Sequence, residues 1–554
     1  MKTYKALTSA LIATVLVLSS CDNILDVSSQ TALQSSAAFD TPEHIALNVT
    51  GVYDAAQSGF YAGGAVRGYP FGAAHVQQGD NRGEDVANTQ AFYLVTYSNT
   101  YDGVAANLDF HFQTLFALIN RANVVIAGLD AIKLPLTGIT QATIDQYRGE
   151  CTFMRALAYH ELLKHFSRPY WDNPTAAAGG MPYRKKAVSD VASAGTEVTN
   201  GRATVAQNYT DMLADLNYAE SVLPITRTGG LKISRATKAA AIALKVRLYM
   251  LMNDYANVIL EGNKLAPQAT APFSSSTNGT YSLTTDPMGP FTSGNSKGNT
   301  ESIFSIENDV TDNPGANGAL PSMYNTSAAP TIGRALVAIS PYIWNQTWWN
   351  STDLRKTSNM VNINIELTTG GGKGGYFTKK YSDVVGGSDN APVVRYAEVL
   401  LTMAEAIQRQ AGLAATPNAR AFALYNAIRT RANAAGTDLL YDAIGDFADG
   451  TALVGAILNE RRIEFLCEGL RWMDITRLAN PTDAVFNTWG GGIPAKVSSN
   501  IGNLRPLYTG LPATNATIAT HVAIPYSDYR FLWPIPTSEI ILNPTLAAQQ
   551  NPGW

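Results

Sequence analysis

Trp344, Trp348 and Trp349 are three of the eight tryptophans in this chain, and Asn345, Gln346, Thr347 and Asn350 lie among and beside them. A flat indole offers its π-face to the axial C–H groups of a pyranose while nearby amides bond the hydroxyls, so this composition suits a sugar platform. Successive side chains of an extended segment point to opposite sides, so Trp348 and Trp349 cannot both face a core if the segment is extended. The competing reading is that all three anchor the loop to a scaffold, because aromatic residues are mostly packing. Tyr324 nearby, and Asp80, Arg82 and Tyr93 on an earlier loop, complete the set of candidate ligand-binding residues.

Other chemistry finds less support. Gly370 to Gly375 surrounds Lys373 with glycines, but a phosphate loop needs Ser or Thr after the Lys, with a strand before and a helix after. The six histidines show neither HExxH nor any other paired-ligand spacing and there is no CxxC, so no metal or other cofactor is expected. His160 and His165, five apart, point in different directions on a helix and read as surface residues. Asp80 with Glu84 or Asp85 has the residue types of a glycosidase pair, yet sequence cannot show the separation that such chemistry needs. There is no GxSxG nucleophile elbow, and no catalytic residue is assigned. In Glu460 to Trp472, Glu460, Glu464 and Glu468 fall at i, i+4 spacing, where like charges repel unless bridged. Arg461, Arg462 and Arg471 are the local candidates to bridge them, and the segment reads as a structural ion-pair element.

The first residues follow another logic. Lys2 and Lys5 precede an apolar run from Ala6 to Leu18, and Leu18-Ser19-Ser20-Cys21 has the form of a cleavage site ending in Cys. It resembles a bacterial lipobox, which implies cleavage before Cys21 and acylation there; several acyl chains on one Cys would hold the protein to a bilayer. Cys151 and Cys467 lie far apart in apolar patterns and read as buried thiols, a disulfide staying open. With 46% apolar and 15% charged residues and a net charge of -4, the composition is globular and lacks the cationic field that nucleic acid requires.

These residues need a scaffold, and the periodicity supplies helices. Thr41-Pro42 offers an N-cap and a first-turn proline before Ile45, Val49 and Val52. Apolar residues keep one face from Asn107 to Leu129, again from Ile144 to Leu162, and again from Val205 to Leu223. From Ala239 to Pro267 one helix breaks at Asn253-Asp254 and a second ends before proline, which resembles a tetratricopeptide hairpin; such a pair implies stacked neighbours. Arg395–Gly412, Asn418–Ala434 and Thr451–Leu470 add helices. The composition shifts between Gln268 and Pro392 to Gly, Ser, Thr and Asn, with short strands at Ile303–Ile306 and Val361–Leu367. A second irregular stretch runs from Pro481 to Tyr529. Long loops on a helical body are expected to carry function.

Several motifs in one order then resemble the SusD/RagB family of nutrient-uptake lipoproteins. They are Cys21 followed by Leu25-Asp26, Ile119-Asn120-Arg121-Ala122-Asn123, Arg148-Gly149-Glu150 with Arg155-Ala156-Leu157-Ala158-Tyr159, and Lys379-Lys380-Tyr381. Val394 to Leu401, Ala404-Glu405-Ala406, Glu460 to Trp472, Trp533-Pro534-Ile535-Pro536 and Asn551-Pro552-Gly553-Trp554 follow. Phe112, Phe116 and Trp554 depart modestly from that pattern. The resemblance implies a mainly α fold, a right-handed scaffold of four tetratricopeptide-like pairs with long loop insertions and a few short strands. It implies an outer-membrane, surface-exposed lipoprotein that captures oligosaccharides without catalysis as the lid of a TonB-dependent SusC-like barrel transporter. Peptide capture by the same lid is the alternative, and a surface glycoside hydrolase a weaker one. The expected organisation is a signal peptide over 1–20, a lipidated tether over 21–38 and one SusD-like domain over 39–554. Within it the scaffold occupies about 39–267 and 393–480, and the ligand loops about 60–106, 268–392 and 481–530. The family's ligand residues lie in variable loops, so none carries over.

Overall fold

The computed structural model describes residues 38–88, 90–292, 294, 297–326, 333–365, 374–432, 443–483, 486–487, 491–509 and 520–554. The Cys21 region, most of the 370–375 glycine run and Leu367 lie outside them. Among the described residues eleven helices have eight residues or more. They are α1 (Pro42–Gln57), α2 (Ala74–Asn81), α3 (Ala106–Ala131), α4 (Gln141–Phe166), α5 (Val205–Val222), α6 (Lys238–Leu251), α7 (Tyr255–Gly262), α8 (Tyr396–Ala411), α9 (Ala419–Ala432), α10 (Gly450–Glu464) and α11 (Arg471–Leu478).

Local chemistry sets their starts. The Thr41 hydroxyl accepts from His44 N with Pro42 in the first turn, as the sequence predicts. Thr140, Thr204, Thr237, Asp254 and Asp449 cap α4, α5, α6, α7 and α10 in the same way. Consecutive helices pack as hairpins, α3 on α4 and α6 on α7, with α4 also against α5 and α8 against α9. Helix α6 is buried along nearly all its length, so its cations need partners. Lys245 donates to Asn217 of α5 and pairs with Glu220 of α5 and Glu261 of α7, while Arg247 binds Glu398 of α8 at 2.6 Å. A buried ion left alone is costly, so these pairs fix which helices meet.

The six longer strands form ribbons rather than a closed sheet. They are β1 (Val86–Asn88), β2 (Ser302–Ile306), β3 (Val337–Ile339), β4 (Val361–Ile365), β5 (Gly375–Thr378) and β6 (Ala391–Arg395). Antiparallel pairing of β2 with β6 closes the base of an insertion that leaves the helical body after Ile306 and returns at Ala391. β1 pairs with β3 and β4 with β5.

Three expectations need correction. His160 and His165 are buried, because α4 is enclosed by α3, α5 and α11 over nearly every residue from Gly149 to Phe166. The helix expected to reach Leu470 stops at Glu464, and Cys467 and Gly469 then turn through left-handed backbone at φ 64° and 77°. A Cβ on Gly469 would lie 2.6 Å from Val76 Cα, and one on Gly79 would lie 2.0 Å from Gly469 O, so both glycines are needed for α2 to dock on this turn. Finally, Arg461, Arg462 and Arg471 do not bridge the three glutamates; they bind Asp474, Asp85 and Glu84. Arg355 and Arg429 hold Glu460. Arg355, Arg395 and Arg431 converge on Glu464, and Lys380 and Arg395 hold Glu468. Cys151 and Cys467 are buried free thiols.

Residues 531–554 fold back on the first helices. Trp533 stacks on His165 of α4 with centroids 4.3 Å apart, and Arg82 Nη2 donates to Phe531 O at 2.6 Å. Arg202, just before α5, donates to Gln549 O and Asn551 Oδ1.

Candidate functional site

The tryptophan segment is built on β3. After Ile339, the Ser340 hydroxyl caps a single turn, Pro341–Trp344, and Asn345 Nδ2 then donates to Leu507 O at 2.8 Å. That bond ties the turn to residues 505–508 of the second irregular stretch. Tyr508 donates its hydroxyl to Ile339 O at 2.6 Å and stacks on Tyr376 of β5, with centroids 3.8 Å apart and 3° between planes. Trp344 meets Tyr376 edge-on at 4.6 Å and Trp349 at 5.4 Å. Three sequence-distant segments thereby contribute rings to one cluster.

Exposure sorts these rings. Trp349 is only 2% exposed and Trp344 9%, whereas Trp348, Tyr376 and Tyr508 are half-buried. The adjacent pair splits, Trp349 inward and Trp348 outward, but the segment is a turn and not extended: Trp349 N donates to Gln346 O at 3.2 Å. The Lys356 ammonium donates to Trp349 O at 2.8 Å and lies 5.1 and 5.2 Å from the centroids of Trp344 and Trp349, a cation–π seat; burial pulls its pKa down to about 8. Arg462 sits 5.4 Å from the Trp348 centroid while bound to Asp85. Thr347, just before Trp348, is exposed. At the base of the β4/β5 hairpin an open groove of about 920 Å³ is lined by hydroxyls and amides, among them Thr284, Thr300, Ser358 and Asn359, with Lys379.

The remaining predicted residues lie elsewhere, inside the protein. Asp80 accepts from Tyr324 Oη at 2.8 Å and from Gly469 N at 2.9 Å, and burial raises its pKa to about 7. The Arg82 guanidinium lies 3.7 Å from the Trp472 ring centroid, its pKa brought down to about 10 by burial. Tyr93 is buried against Tyr69. Glu84, which burial alone would push upward, is held down at about 2 by Arg471 and Arg462, and Asp85 is engaged by Arg462. The Asp80, Glu84 and Asp85 carboxylates are thus committed to internal partners, and none is placed as a glycosidase pair.

One grouping escaped sequence reading because it joins positions 50 residues apart. His111, Glu161 and His165 bring their side-chain nitrogens and oxygen within 4.8 Å of one another, all buried. Both Nε2 atoms are 3.2 Å from Glu161 Oε1, while Lys164 binds the other carboxylate oxygen at 2.7 Å and Arg82 donates to His165 Nδ1. Arg82 on Nδ1 places the His165 proton on Nε2, where it donates to Glu161. Burial lowers the pKa of both imidazoles. Two flanking cations oppose a divalent ion here, and the trio acts as a hydrogen-bonded core element. Tyr376 and Tyr508 also went unnoticed in the sequence, the first beside the glycine run and the second in an irregular stretch with no motif around it.

A body of helical hairpins with a strand-bearing insertion is an architecture shared with known proteins. The chain belongs to the SusD family, whose model matches residues 277–554; a second model, described as starch-binding associating with outer membrane, matches residues 23–250. SusD-like protein P2 of Formosa agariphila is 24% identical over 391 residues, covering 66% of this chain and 70% of its own. A SusD superfamily crystal structure from Bacteroides fragilis is 26% identical, with a TM-score of 0.71 over 92% of this chain and 99% of that one. Surface glycan-binding protein A of Bacteroides fluxus shares the fold at 20% identity and TM-score 0.65, over 93% of this chain and all of its own.

Proposed function

We propose that this chain captures oligosaccharides at the outer face of the outer membrane without cleaving them. It hands them on as the lid of a TonB-dependent barrel and is tethered through lipid on Cys21. The observation that carries the reading is the partly exposed stacked pair Tyr376 and Tyr508, braced by Trp344, with Trp348 partly exposed one residue before the buried Trp349. Stacking on sugar faces needs rings whose orientation is fixed before the ligand arrives, since an anchored ring loses little entropy on binding. The outer-membrane description of the second family model, the surface glycan-binding protein that shares the fold, and the internal commitment of Asp80, Glu84 and Asp85 all support binding over hydrolysis.

The purified protein is incubated with a polysaccharide and oligopeptide panel, with ligand depletion and new reducing ends both measured. Depletion of a glycan with no new ends is expected. New reducing ends, or retention of peptides alone, would overturn the reading. Gentle detergent extraction is expected to recover a large barrel with the protein, and its consistent absence would remove the lid.

A further inference from the structure

A second cleft, of about 300 Å³, opens between α1 and the loop after β2, on elements that carry none of the aromatic cluster. Tyr53, Asp54 and Gln57 line it from α1, and Glu307, Asp309 and Asp312 from the loop. Its polar inventory is one-sided. Gln57 is 4% exposed, and its Nε2 donates to Asn308 Oδ1 at 3.1 Å and to Asp312 O at 2.9 Å. Both partners are acceptors, and Asn308 is itself oriented by donating Nδ2 to Asp389 O, so the amide cannot be turned over. Gln57, a residue of the cleft lining, therefore keeps its Oε1 as a buried acceptor with no donor among the described residues.

The rim extends the same preference. Asp309 Oδ1 is occupied by Thr311 N, Thr311 Oγ1 and Asp312 N, and the Asp54 carboxylate accepts from the Ser58 hydroxyl. Among the described residues no donor faces the carboxylates of Glu307 and Asp312. The cation on the wall, Arg235, is engaged by Glu150 at 2.7 Å, and nearby Lys297 is held by Asn308 O. What the cleft leaves open is acceptors, and what fits them is a donor-only cation. A lone divalent ion suits it poorly. The volume is about ten times the share of one water, and the three loop carboxylates do not converge: the His111, Glu161 and His165 trio is the grouping of that kind among the described residues.

We propose that this cleft binds a primary ammonium group on a small ligand, an amino-sugar oligomer or a lysine side chain. Gln57 Oε1 accepts one N–H at the floor, and Glu307 and Asp312 take the others at the rim. Calorimetry on the mature chain at low salt compares glucosamine trimer, its N-acetylated counterpart, trilysine and calcium chloride. The glucosamine trimer, trilysine or both are expected to bind at least tenfold more tightly than the N-acetylated trimer. Binding of the sugar alone assigns an amino sugar; binding of trilysine assigns the ammonium group itself. The exposed double variant Glu307→Gln/Asp312→Asn is expected to lose at least tenfold, and Gln57→Met, which keeps the charge, at least fivefold. No preference for the amines over the N-acetylated trimer, unchanged affinity in the double variant, or tighter binding of calcium than of either amine would overturn the proposal.

Discussion

Truncating Trp348 and Trp349 separately makes the sharpest test of the aromatic cluster, because adjacent residues should fail in different ways. Trp349 is enclosed against Trp344 and beneath Lys356, so Trp349→Ala opens a cavity of the sort that costs about 3–5 kcal/mol. Its indole Nε1 is buried without a partner, so no hydrogen bond is lost with it. With an unfolding entropy of about 2.1 cal/mol/K per residue over roughly 500 folded residues, that loss lowers the melting temperature by about 3–5 °C. Trp348 is only partly buried, packed at the edge of the core and beside Arg462, so its loss costs about 1–2 kcal/mol and hence about 1–2 °C. Affinity should behave oppositely. Trp348→Ala removes an outward ring and is expected to weaken the cognate glycan by about 1–3 kcal/mol, or about 5- to 150-fold. Differential scanning calorimetry with titration of each variant against the glycan found in the panel measures both quantities. If Trp348→Ala binds as wild type does, or if Trp349→Ala melts no earlier than Trp348→Ala, the division into a bracing ring and a contacting ring is refuted.

Asp80→Asn tests the buried carboxyl. Its folded pKa of about 7 lies above the ordinary aspartate value, so between about pH 4 and 7 the folded state holds a proton that the unfolded chain has lost. Wild-type stability should therefore decline as pH rises through that window relative to Asp80→Asn, and parallel melting curves from pH 4 to 8 would contradict this. Glu464→Gln leaves Arg355, Arg395 and Arg431 around an uncharged amide. It is expected to cost about 3–5 kcal/mol, or about 3–5 °C, in a thermal melt; a shift under 1 °C would contradict it. Glu84 and Glu464 both sit below the usual glutamate range because of their arginines, so the stability they contribute is complete above pH 5 and is lost as pH falls toward 2. Cys21→Ala should move the protein from the membrane to the soluble fraction, and retention of label from a fed radioactive fatty acid would contradict lipidation at that residue.

What the sequence disclosed was local. The Thr41-Pro42 start and the faces of α3 through α7 follow from spacing that one turn of helix enforces. The split of the Trp348–Trp349 pair was not legible in this way, because a turn closed by Trp349 N on Gln346 O stands where the argument assumed an extended segment. Glu460, Glu464 and Glu468 were legible as a charged column, but their partners at 355, 380, 395, 429 and 431 are assigned by topology, which no local period encodes. Tyr508 reaches Tyr376 across 132 residues for the same reason. His165 was misread because a helix sheathed on all sides has no polar face to announce it.

The return of residues 531–554 to the first helices bears on how the molecule is made. Arg82, His165 and Arg202 find their partners at Phe531, Trp533, Gln549 and Asn551, and none of these has left the ribosome while α1 to α10 are emerging. Until then Arg82 lacks the Phe531 carbonyl and Arg202 keeps only its Gly180, Gly179 and Phe166 partners, so the satisfaction of both buried charges is incomplete. Completion of this part of the fold waits for residues 531–554. The same contacts make residues 531–554 a poor place to cut, tag or shuffle.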